Sequence, residues 1–320
     1  MRRLLYCSLL ALLLASPSVS ARPDFDAAAG LGLAESGSAY YRFESLRVVS
    51  DDGRRAYRVW LALPKREAPA AGHPVIYLLD GNASLEALQE DWLRELDALD
   101  PPVMVHVGYD SGRRFDVVSR AYDYTPPLPG GAPVIDDLAR NREGGGADHF
   151  LDLLEQRIRP QVEARAAIDA NRQSIWGHSY GGLFVMHTLF TRPGLFQTYI
   201  AAEPSLWWQQ GFLLEEEKRR AASGAGLLLL ILRGVGGEPR PAPAADDAVA
   251  KARRAAVASV PPDAAAQMAR RLAAAPGLTV GYREFPGLGH GPMLKASLLP
   301  ALRLAAGADD EMTSIEETSR

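Results

Sequence analysis

The residues best suited to chemistry lie in the run 177–182, which reads Gly-His-Ser-Tyr-Gly-Gly. A short apolar stretch ends at Trp176 just before it, and a helical pattern begins at Tyr180. This is the G-x-S-x-G pattern in the strand–turn–helix setting that it requires. Such a turn crowds positions 177 and 181, where glycine relieves the contact, and it lifts the Ser179 hydroxyl to a helix N-terminus. The run predicts a serine nucleophile; a tight structural turn with an idle serine is the alternative.

Two histidines, His187 and His290, follow Ser179 in the chain. A serine hydroxyl is a poor nucleophile until a base takes its proton, and behind such a turn the chain order is serine, acid, histidine. His187 lies eight residues into the helix, so we expect it to point away from the sheet edge. His290 lies in a glycine-rich loop after the last apolar strand pattern. We therefore predict His290 as the general base.

The acid that would orient His290 is expected in the loop after the strand pattern 227–232. Glu238 is the first carboxylate there, with Asp246 and Asp247 behind it. Glu238 is the candidate catalytic acid. A Ser–His dyad, with a backbone carbonyl or a water in the third role, is the alternative.

Acyl transfer also needs an oxyanion hole, since charge develops on the carbonyl oxygen and two backbone donors usually meet it. One predicted donor is the N–H of Tyr180, the residue after the nucleophile. The other is the N–H of Asn82, in the loop after the strand pattern 75–79. Asp80 is expected to fix that loop. A plain turn is the alternative.

The elements that must position these residues alternate between strand and helix patterns. Residues 42–50 and 54–63 alternate in polarity around an Asp-Asp-Gly turn, which predicts an antiparallel hairpin. Short apolar runs follow at 74–79, 103–107, 174–176, 196–201, 227–232 and 278–285, with helical patterns at 85–96, 150–166 and 180–190. The sequence therefore predicts an α/β fold, a three-layer α/β/α sandwich with a mostly parallel sheet and an antiparallel N-terminal hairpin.

Residues 1–21 have the pattern of a secretory signal peptide. Arg2 and Arg3 precede an apolar run at 4–14, and small residues lead up to Ala21. Cleavage after Ala21 would remove the only cysteine, Cys7. We expect a secreted protein whose mature part does not insert into a membrane, because no later stretch approaches 18 uninterrupted apolar residues. An uncleaved anchor is the alternative.

Residues 22–308 are predicted to form one hydrolase domain. Within it, 110–148 is rich in proline and glycine without clear periodicity and is predicted to be an irregular insertion on the substrate side. A long Ala-rich helix is expected at about 244–273, and 309–320 is expected to be a flexible acidic tail.

Composition bounds the function. The 320 residues include 35 Lys and Arg against 39 Asp and Glu, and 47% are hydrophobic, which excludes a disordered or fibrous chain. A net charge of −4 argues against nucleic-acid binding. There is no H-E-x-x-H, Walker A or complete G-x-G-x-x-G run, so we expect no metal site and no cofactor.

Five runs carry a resemblance to a known family: Tyr-Leu-Leu-Asp-Gly-Asn at 77–82, Ser-Arg-Ala-Tyr-Asp-Tyr-Thr-Pro at 119–126, Gly-His-Ser-Tyr-Gly-Gly at 177–182, Pro-Ser-Leu-Trp-Trp at 204–208 and Gly-His-Gly-Pro at 289–292. The sequence resembles the esterase-D-type α/β-hydrolases. More closely, it resembles the periplasmic esterases that cleave the trilactone of ferric enterobactin and of its glucosylated relatives, the salmochelins. The resemblance covers about residues 40–305.

The resemblance implies hydrolysis of siderophore lactone esters to release iron, with iron present only as part of the substrate. It implies Ser179 and His290 as nucleophile and base, and Arg120 as a residue that contacts substrate. Local chemistry is compatible, because guanidinium groups pair with anionic catecholate oxygens and aromatic rings stack on catechols. The substrate-binding candidates are Arg120, Arg113, Arg114, Trp207 and Trp208. A secreted carboxylesterase or acyltransferase with an unrelated substrate, and a non-catalytic siderophore-binding protein, are the alternatives.

Overall fold

The computed structural model describes residues 27–131, 133–137, 142–221, 224, 226–237 and 248–312. In this part of the chain the strands are β1 Tyr41–Val49, β2 Ala56–Pro64, β3 His73–Leu78, β4 Val103–Tyr109, β5 Val134–Asp137, β6 Arg142–Gly144, β7 Ile168–His178, β8 Thr198–Ala202, β9 Leu227–Gly236 and β10 Leu278–Leu288. The helices are α1 Leu33–Ser36, α2 Gly81–Glu86, α3 Glu90–Asp97, α4 Ser119–Asp123, α5 Ala147–Leu153, α6 Arg159–Glu163, α7 Tyr180–Thr191, α8 Phe212–Lys218, α9 Ala248–Val257, α10 Ala264–Ala273, α11 Met293–Ala296 and α12 Leu298–Ala305.

Eight of these strands form one sheet in the order β1-β2-β4-β3-β7-β8-β9-β10. The β1–β2 hairpin and the β2–β4 pair are antiparallel, and every neighbouring pair from β4 to β10 is parallel. Every residue of β3 and β4 is buried, as expected for parallel strands covered on both faces. The sheet and its helices confirm the predicted α/β sandwich with an antiparallel N-terminal hairpin.

Each face of the sheet has its own apolar core. On one face, side chains of α5, α6, α7 and α10 pack against the sheet, including Phe150, Phe184 and Met268. On the other, side chains of α2, α3, α11 and α12 do so, including Leu93 and Leu298. Burial of these side chains at about 25 cal/mol per Å² is the main favourable contribution to folding. The two layers hold the sheet rigid, and with it the carboxyl ends of its parallel strands.

Several helical predictions are corrected in detail. The pattern at 85–96 is divided between α2 and α3, and the pattern at 150–166 becomes α5, a π-helical turn at Leu154–Ile158 and α6. The Ala-rich stretch is two helices, α9 and α10, rather than one. Pro261 and Pro262 separate them, because proline lacks the N–H that would continue a helix.

The segment 110–148 is less irregular than predicted. It contains α4, the two-stranded β5–β6 hairpin and the first two residues of α5. The side chain of Asp136 in the hairpin is fully buried and accepts hydrogen bonds from Trp208 Nε1 at 2.9 Å and Arg142 Nε at 2.8 Å. The hairpin is thereby fixed to the segment that follows β8.

Some predictions fall outside the described residues: the signal peptide 1–21 with Cys7, Glu238 with Asp246 and Asp247, and most of the acidic tail. Across the described ranges, no helix combines the length and the apolar character needed to span a bilayer.

Candidate active site

Three neighbouring strands, β3, β7 and β8, each lead into a residue with a left-handed backbone. These residues are Asp80 (φ 50°), Ser179 (φ 62°) and Glu203 (φ 48°). Non-glycine residues rarely adopt such angles, and those that do concentrate at functional sites. Since the strands are parallel and adjacent, all three residues lie at one edge of the sheet. This edge is the candidate active site.

The turn at Ser179 has the geometry predicted from its glycines, with one correction. A Cβ on Gly177 would lie 2.3 Å from the carbonyl carbon of Gly181, so strand and helix backbones touch there and only glycine fits. At Gly181 itself a Cβ would meet nothing closer than Leu79, at 3.5 Å. The prediction of crowding is right for position 177 and wrong for position 181.

A chain of hydrogen bonds joins Ser179, His290 and Glu203. His290 Nε2 lies 3.0 Å from Ser179 Oγ, and His290 Nδ1 lies 3.1 Å from Glu203 Oε2. A carboxylate only accepts hydrogen bonds, so Nδ1 carries the proton and Nε2 is left free to accept from the serine hydroxyl. This is the arrangement in which an imidazole can remove a proton from serine.

Glu203 occupies the position for which Glu238 was predicted, while Glu238 lies outside the described residues. The Gly234 N–H donates to Glu203 Oε1 at 2.6 Å, which fixes the second carboxylate oxygen. Burial opposes ionisation of Glu203, yet hydrogen bonding and charge attraction from His290, with the Gly234 N–H, leave its pKa below the usual value. The carboxylate is therefore ionised at neutral pH. The acid was predicted in the loop after the strand pattern 227–232, whereas Glu203 directly follows the preceding strand, β8.

His178, the residue before Ser179, supports the loop that carries His290. Its Nε2–H donates to the His290 carbonyl at 2.8 Å, and the two rings lie 4.8 Å apart between centroids. Burial, with the nearby His290, holds the pKa of His178 well below its usual value, so it stays neutral. A Cβ on Gly237 would lie 2.4 Å from the Gly289 nitrogen, so glycine there lets the His290 loop approach β9.

A second hydroxyl, that of Ser205, lies beside the first. Ser205 Oγ is 3.3 Å from Ser179 Oγ, and the Ser205 N–H donates to the Ser179 carbonyl at 3.1 Å. Ser205 is buried. The sequence did not predict Ser205 as a site residue. Its contact with the nucleophile arises only in the folded chain, where the run 204–208 after β8 packs against the Ser179 turn.

The two predicted oxyanion donors lie in the first turns of helices. Tyr180 begins α7 and Asn82 is the second residue of α2, so neither N–H has a partner within its own helix. The Asn82 side chain donates to the carbonyls of Tyr109 and Arg113, at 3.0 and 2.7 Å, and so ties the loop after β3 to the loop after β4.

The Arg120 side chain extends to the loop after β3, which contains Asp80 and the predicted oxyanion donor Asn82, rather than into solvent. Its Nε and Nη2 donate to Asp80 Oδ1 and Oδ2, each at 2.8 Å. Its guanidinium carbon also lies 5.4 Å from the centroid of the Tyr180 ring. The Arg120 side chain is 13% exposed and that of Asp80 is 1% exposed.

The other predicted substrate-binding residues separate into two groups. The Trp207 ring lies 6.0 Å from the Tyr180 ring, at the site, whereas Trp208 is 2% exposed and packs in the core against Phe212. A ring buried in this way presents no face to a ligand, so the structure assigns Trp208 to the core. Arg114 pairs with Glu86 at 2.9 Å, and the exposed Arg113 lies beside it in the loop after β4.

The described residues contain no group of three or more His, Cys, Asp or Glu side chains arranged to hold a metal ion. What the edge of the sheet does contain is a hydrogen-bonded serine, histidine and carboxylate beside two helix N-termini. This arrangement can form and hydrolyse an acyl-serine intermediate.

Comparison with known proteins agrees with the fold and with this geometry. The chain belongs to the family described as "Putative esterase", whose model matches residues 50–257. Its sheet and helices are those of an α/β-hydrolase. The solved structure of the enterobactin hydrolase IroE in complex with DFP is 35% identical, with a TM-score of 0.66 over 86% of this chain and 99% of that one.

Two curated relatives are similar over part of the chain. The apo-salmochelin esterase of Escherichia coli O6:H1 (strain CFT073) is 43% identical over 194 residues, which is 61% of this chain and 60% of the relative. The ferri-bacillibactin esterase BesA of Bacillus subtilis (strain 168) is 39% identical over 165 residues, 50% of this chain and 57% of the relative. The chain therefore aligns with less than two thirds of the length of these curated relatives.

Proposed function

We propose that this protein is a serine esterase that hydrolyses the trilactone ester bonds of ferric enterobactin-type catecholate siderophores. The observation that carries the proposal is the hydrogen-bonded chain from Ser179 through His290 to Glu203. The names of its relatives, an apo-salmochelin esterase and an enterobactin hydrolase, support the choice of ester.

In the proposed reaction, Ser179 Oγ attacks a lactone carbonyl while His290 Nε2 takes its proton. Glu203 holds Nδ1–H and stabilises the imidazolium that forms. The Tyr180 and Asn82 N–H groups receive the oxyanion. His290 then protonates the alkoxide oxygen that departs from the lactone, and the ring-opened ester remains as an acyl-enzyme. Water, activated by His290, releases the acid and restores Ser179.

The aromatic and cationic surroundings of Ser179 support a catecholate substrate. Trp207 lies against Tyr180, and the guanidinium carbon of Arg253 is 5.8 Å from the Trp207 ring centroid. Together these side chains offer a ring face and positive charge to a catecholate, which is itself aromatic and anionic. Arg113 and Arg114 remain predicted contributors from the loop after β4. Iron enters this proposal only as part of the substrate, and no resident cofactor is included.

The proposed location is the periplasm. It rests on the leader pattern of Arg2, Arg3 and the apolar run 4–14. Amino-terminal sequencing of protein purified from the periplasmic fraction tests this, with a new terminus after Ala21 expected.

The direct test is chromatography of ferric enterobactin and of a p-nitrophenyl ester after incubation with wild type and with Ser179→Ala. Linear trimer, dimer or monomer formed only by wild type supports the proposal. Intact siderophore beside cleaved nitrophenyl ester would keep the esterase and refute the siderophore substrate. Binding of siderophore with neither ester cleaved would indicate a binding protein.

A further inference from the structure

The segment that follows β8 holds a second hydroxyl against the nucleophile. Ser205 is buried, and its Oγ lies 3.3 Å from Ser179 Oγ. The Ser205 N–H donates to the Ser179 carbonyl at 3.1 Å, and the Ser205 carbonyl accepts from the Trp208 N–H, also at 3.1 Å. The backbone of Ser205 is therefore fixed on both sides of its side chain, and the hydroxyl is held in place beside the reacting oxygen.

Gly182, in the first turn of α7, makes room for this segment. A Cβ on Gly182 would lie 2.9 Å from the Ala202 carbonyl oxygen and 3.0 Å from Pro204 Cα. These are backbone atoms that cannot give way cheaply, so a side chain here would push the segment, and Ser205 with it, away from α7. The G-x-S-x-G pattern ends at Gly181 and does not require this additional glycine. The close approach of the Ser205 segment does require it.

The hydrogen bonds around Ser179 fix which of the two hydroxyls donates to the other. His290 Nδ1 carries the imidazole proton toward Glu203, so His290 Nε2 is an acceptor. The Ser179 hydroxyl donates its single proton to that nitrogen, at 3.0 Å. Ser179 Oγ then has only lone pairs left, so the Ser205 O–H is the donor in the contact between the two oxygens.

The strength of this hydrogen bond changes during the proposed reaction. In the acyl-enzyme, Ser179 Oγ is the bridging oxygen of an ester and accepts weakly, because its lone pair is delocalised into the carbonyl group. When the ester breaks, Oγ gains negative charge, and hydrogen bonds to charged acceptors are roughly twice as strong as neutral ones. An interaction that strengthens toward the transition state lowers the barrier. In acylation the gain is smaller, since the free Ser179 hydroxyl already accepts from Ser205 before it attacks.

We infer that Ser205 is a catalytic residue for deacylation, which donates a hydrogen bond to Ser179 Oγ as that oxygen leaves the acyl group. Water attacks the acyl carbon while His290 takes one of its protons. The bond from the acyl carbon to Ser179 Oγ then breaks, its electron pair goes to Oγ, and His290 delivers the proton there. Ser205 keeps its own proton throughout. The inference rests on the proposed serine-esterase function but not on the identity of the ester.

The test is stopped-flow hydrolysis of p-nitrophenyl butyrate by wild type and by Ser205→Ala. The nitrophenolate leaves readily, so the burst reports acylation and the steady state reports deacylation. Ser205→Ala is expected to lower the steady-state kcat about 3- to 10-fold, as for the loss of one hydrogen bond that becomes charged. The burst rate and kcat/KM are expected to stay within about twofold of wild type, so that KM falls together with kcat.

Two further variants separate the hydrogen bond from packing. Ser205→Cys fills the site but offers only a weak S–H donor, so its kcat is expected to fall as in Ser205→Ala. Ser297→Ala is the matched control. Ser297 is likewise buried, and its hydroxyl accepts from Trp176 Nε1 at 3.2 Å, between α11 and α12 and away from Ser179 Oγ. This variant is expected to keep both the burst rate and kcat.

Three results would overturn the inference. The first is a loss of kcat smaller than threefold in Ser205→Ala. The second is an equal fall of burst rate and kcat in that variant, which would mean that Ser205 only supports the nucleophile turn. The third is wild-type kcat in Ser205→Cys, which would assign the effect of alanine to packing. Failure of the proposed function looks different: Ser179→Ala would still release nitrophenol, or wild type would cleave the butyrate and leave the siderophore intact.

Discussion

Replacement of Glu203 by glutamine is expected to lower kcat by more than removal of the carboxylate charge alone would lower it. The Gly234 N–H lies 2.6 Å from Glu203 Oε1, so it demands an acceptor there and fixes the amide oxygen of a glutamine. The amide NH₂ must then face His290 Nδ1, where the carboxylate oxygen lies at 3.1 Å in the wild type. Facing a donor, Nδ1 becomes an acceptor and the proton moves to Nε2. In that tautomer His290 cannot accept the proton of Ser179.

The expected loss in kcat for Glu203→Gln is about 10³-fold, which corresponds to about 4 kcal/mol of transition-state stabilisation. Glu203→Ala removes the charge without imposing a tautomer, so its loss is expected to be smaller, about 10²-fold. The order of the two variants, glutamine below alanine, is the specific consequence of the Gly234 hydrogen bond.

The assay is hydrolysis of p-nitrophenyl butyrate from pH 6 to 9, with Glu216→Gln as the matched control. Glu216, on α8, also pairs with a histidine. Its carboxylate accepts from His187 Nδ1 at 2.9 Å, and His187 lies on α7, eight residues after Ser179. Its variant is expected to keep kcat. Glu203→Gln with kcat within threefold of wild type would refute the acid role and support a Ser–His dyad. Alanine below glutamine would refute the tautomer argument.

Three further predictions concern the neighbours of the site and the core. Ser205→Ala removes the hydroxyl 3.3 Å from Ser179 Oγ and is expected to lower kcat about 3- to 10-fold, with the melting temperature showing whether packing is kept; unchanged kcat would mean that the hydroxyl does not assist. Trp207→Ala is expected to raise KM for an aromatic siderophore at least fivefold more than for the butyrate, and equal changes would contradict a stacking role. Buried His187 pairs with Asp148 and Glu216, which raise its pKa to about 9 despite burial. Because this folded-state pKa lies above the unfolded value, its stabilisation, on the order of 2 kcal/mol, is complete below about pH 6.5 and declines as pH rises through about 9. Thermal melts are expected to show that decline in wild type and lose most of it in His187→Gln, and a flat wild-type profile would contradict the pairing.

The sequence predicted what depends on local spacing. The strand–turn–helix around Ser179 depends only on residues that are neighbours along the chain. The glycine-rich loop at His290 follows the last strand of the sheet, whichever strand that one pairs with. The alternation of strand and helix patterns was enough for the α/β sandwich and its N-terminal hairpin.

What the sequence did not predict depends on contacts between distant segments. Glu203 reaches His290 because β8 lies next to β9 and the loop after β10 returns over them, and no periodicity records that order. Trp207 and Trp208 are adjacent, yet the Trp207 ring lies against Tyr180 at the site and Trp208, the first residue of a 3₁₀ turn, is buried in the core. The family resemblance implied Arg120 as a substrate contact, whereas its ion pair with Asp80, 40 residues earlier, was not predicted because no local spacing indicates it. The division of the Ala-rich stretch, by contrast, has a local cause in the sequence, because Pro261 and Pro262 interrupt the helical pattern.

The central claim is that Ser179 is the nucleophile, activated by His290. It is tested most directly by labelling the protein with a fluorophosphonate and locating the adduct by peptide mass spectrometry. One equivalent of adduct on Ser179, with slow or no labelling in His290→Ala and none in Ser179→Ala, is the expected result. An adduct on Ser205, the hydroxyl 3.3 Å away, or labelling that persists in Ser179→Ala, would contradict the claim.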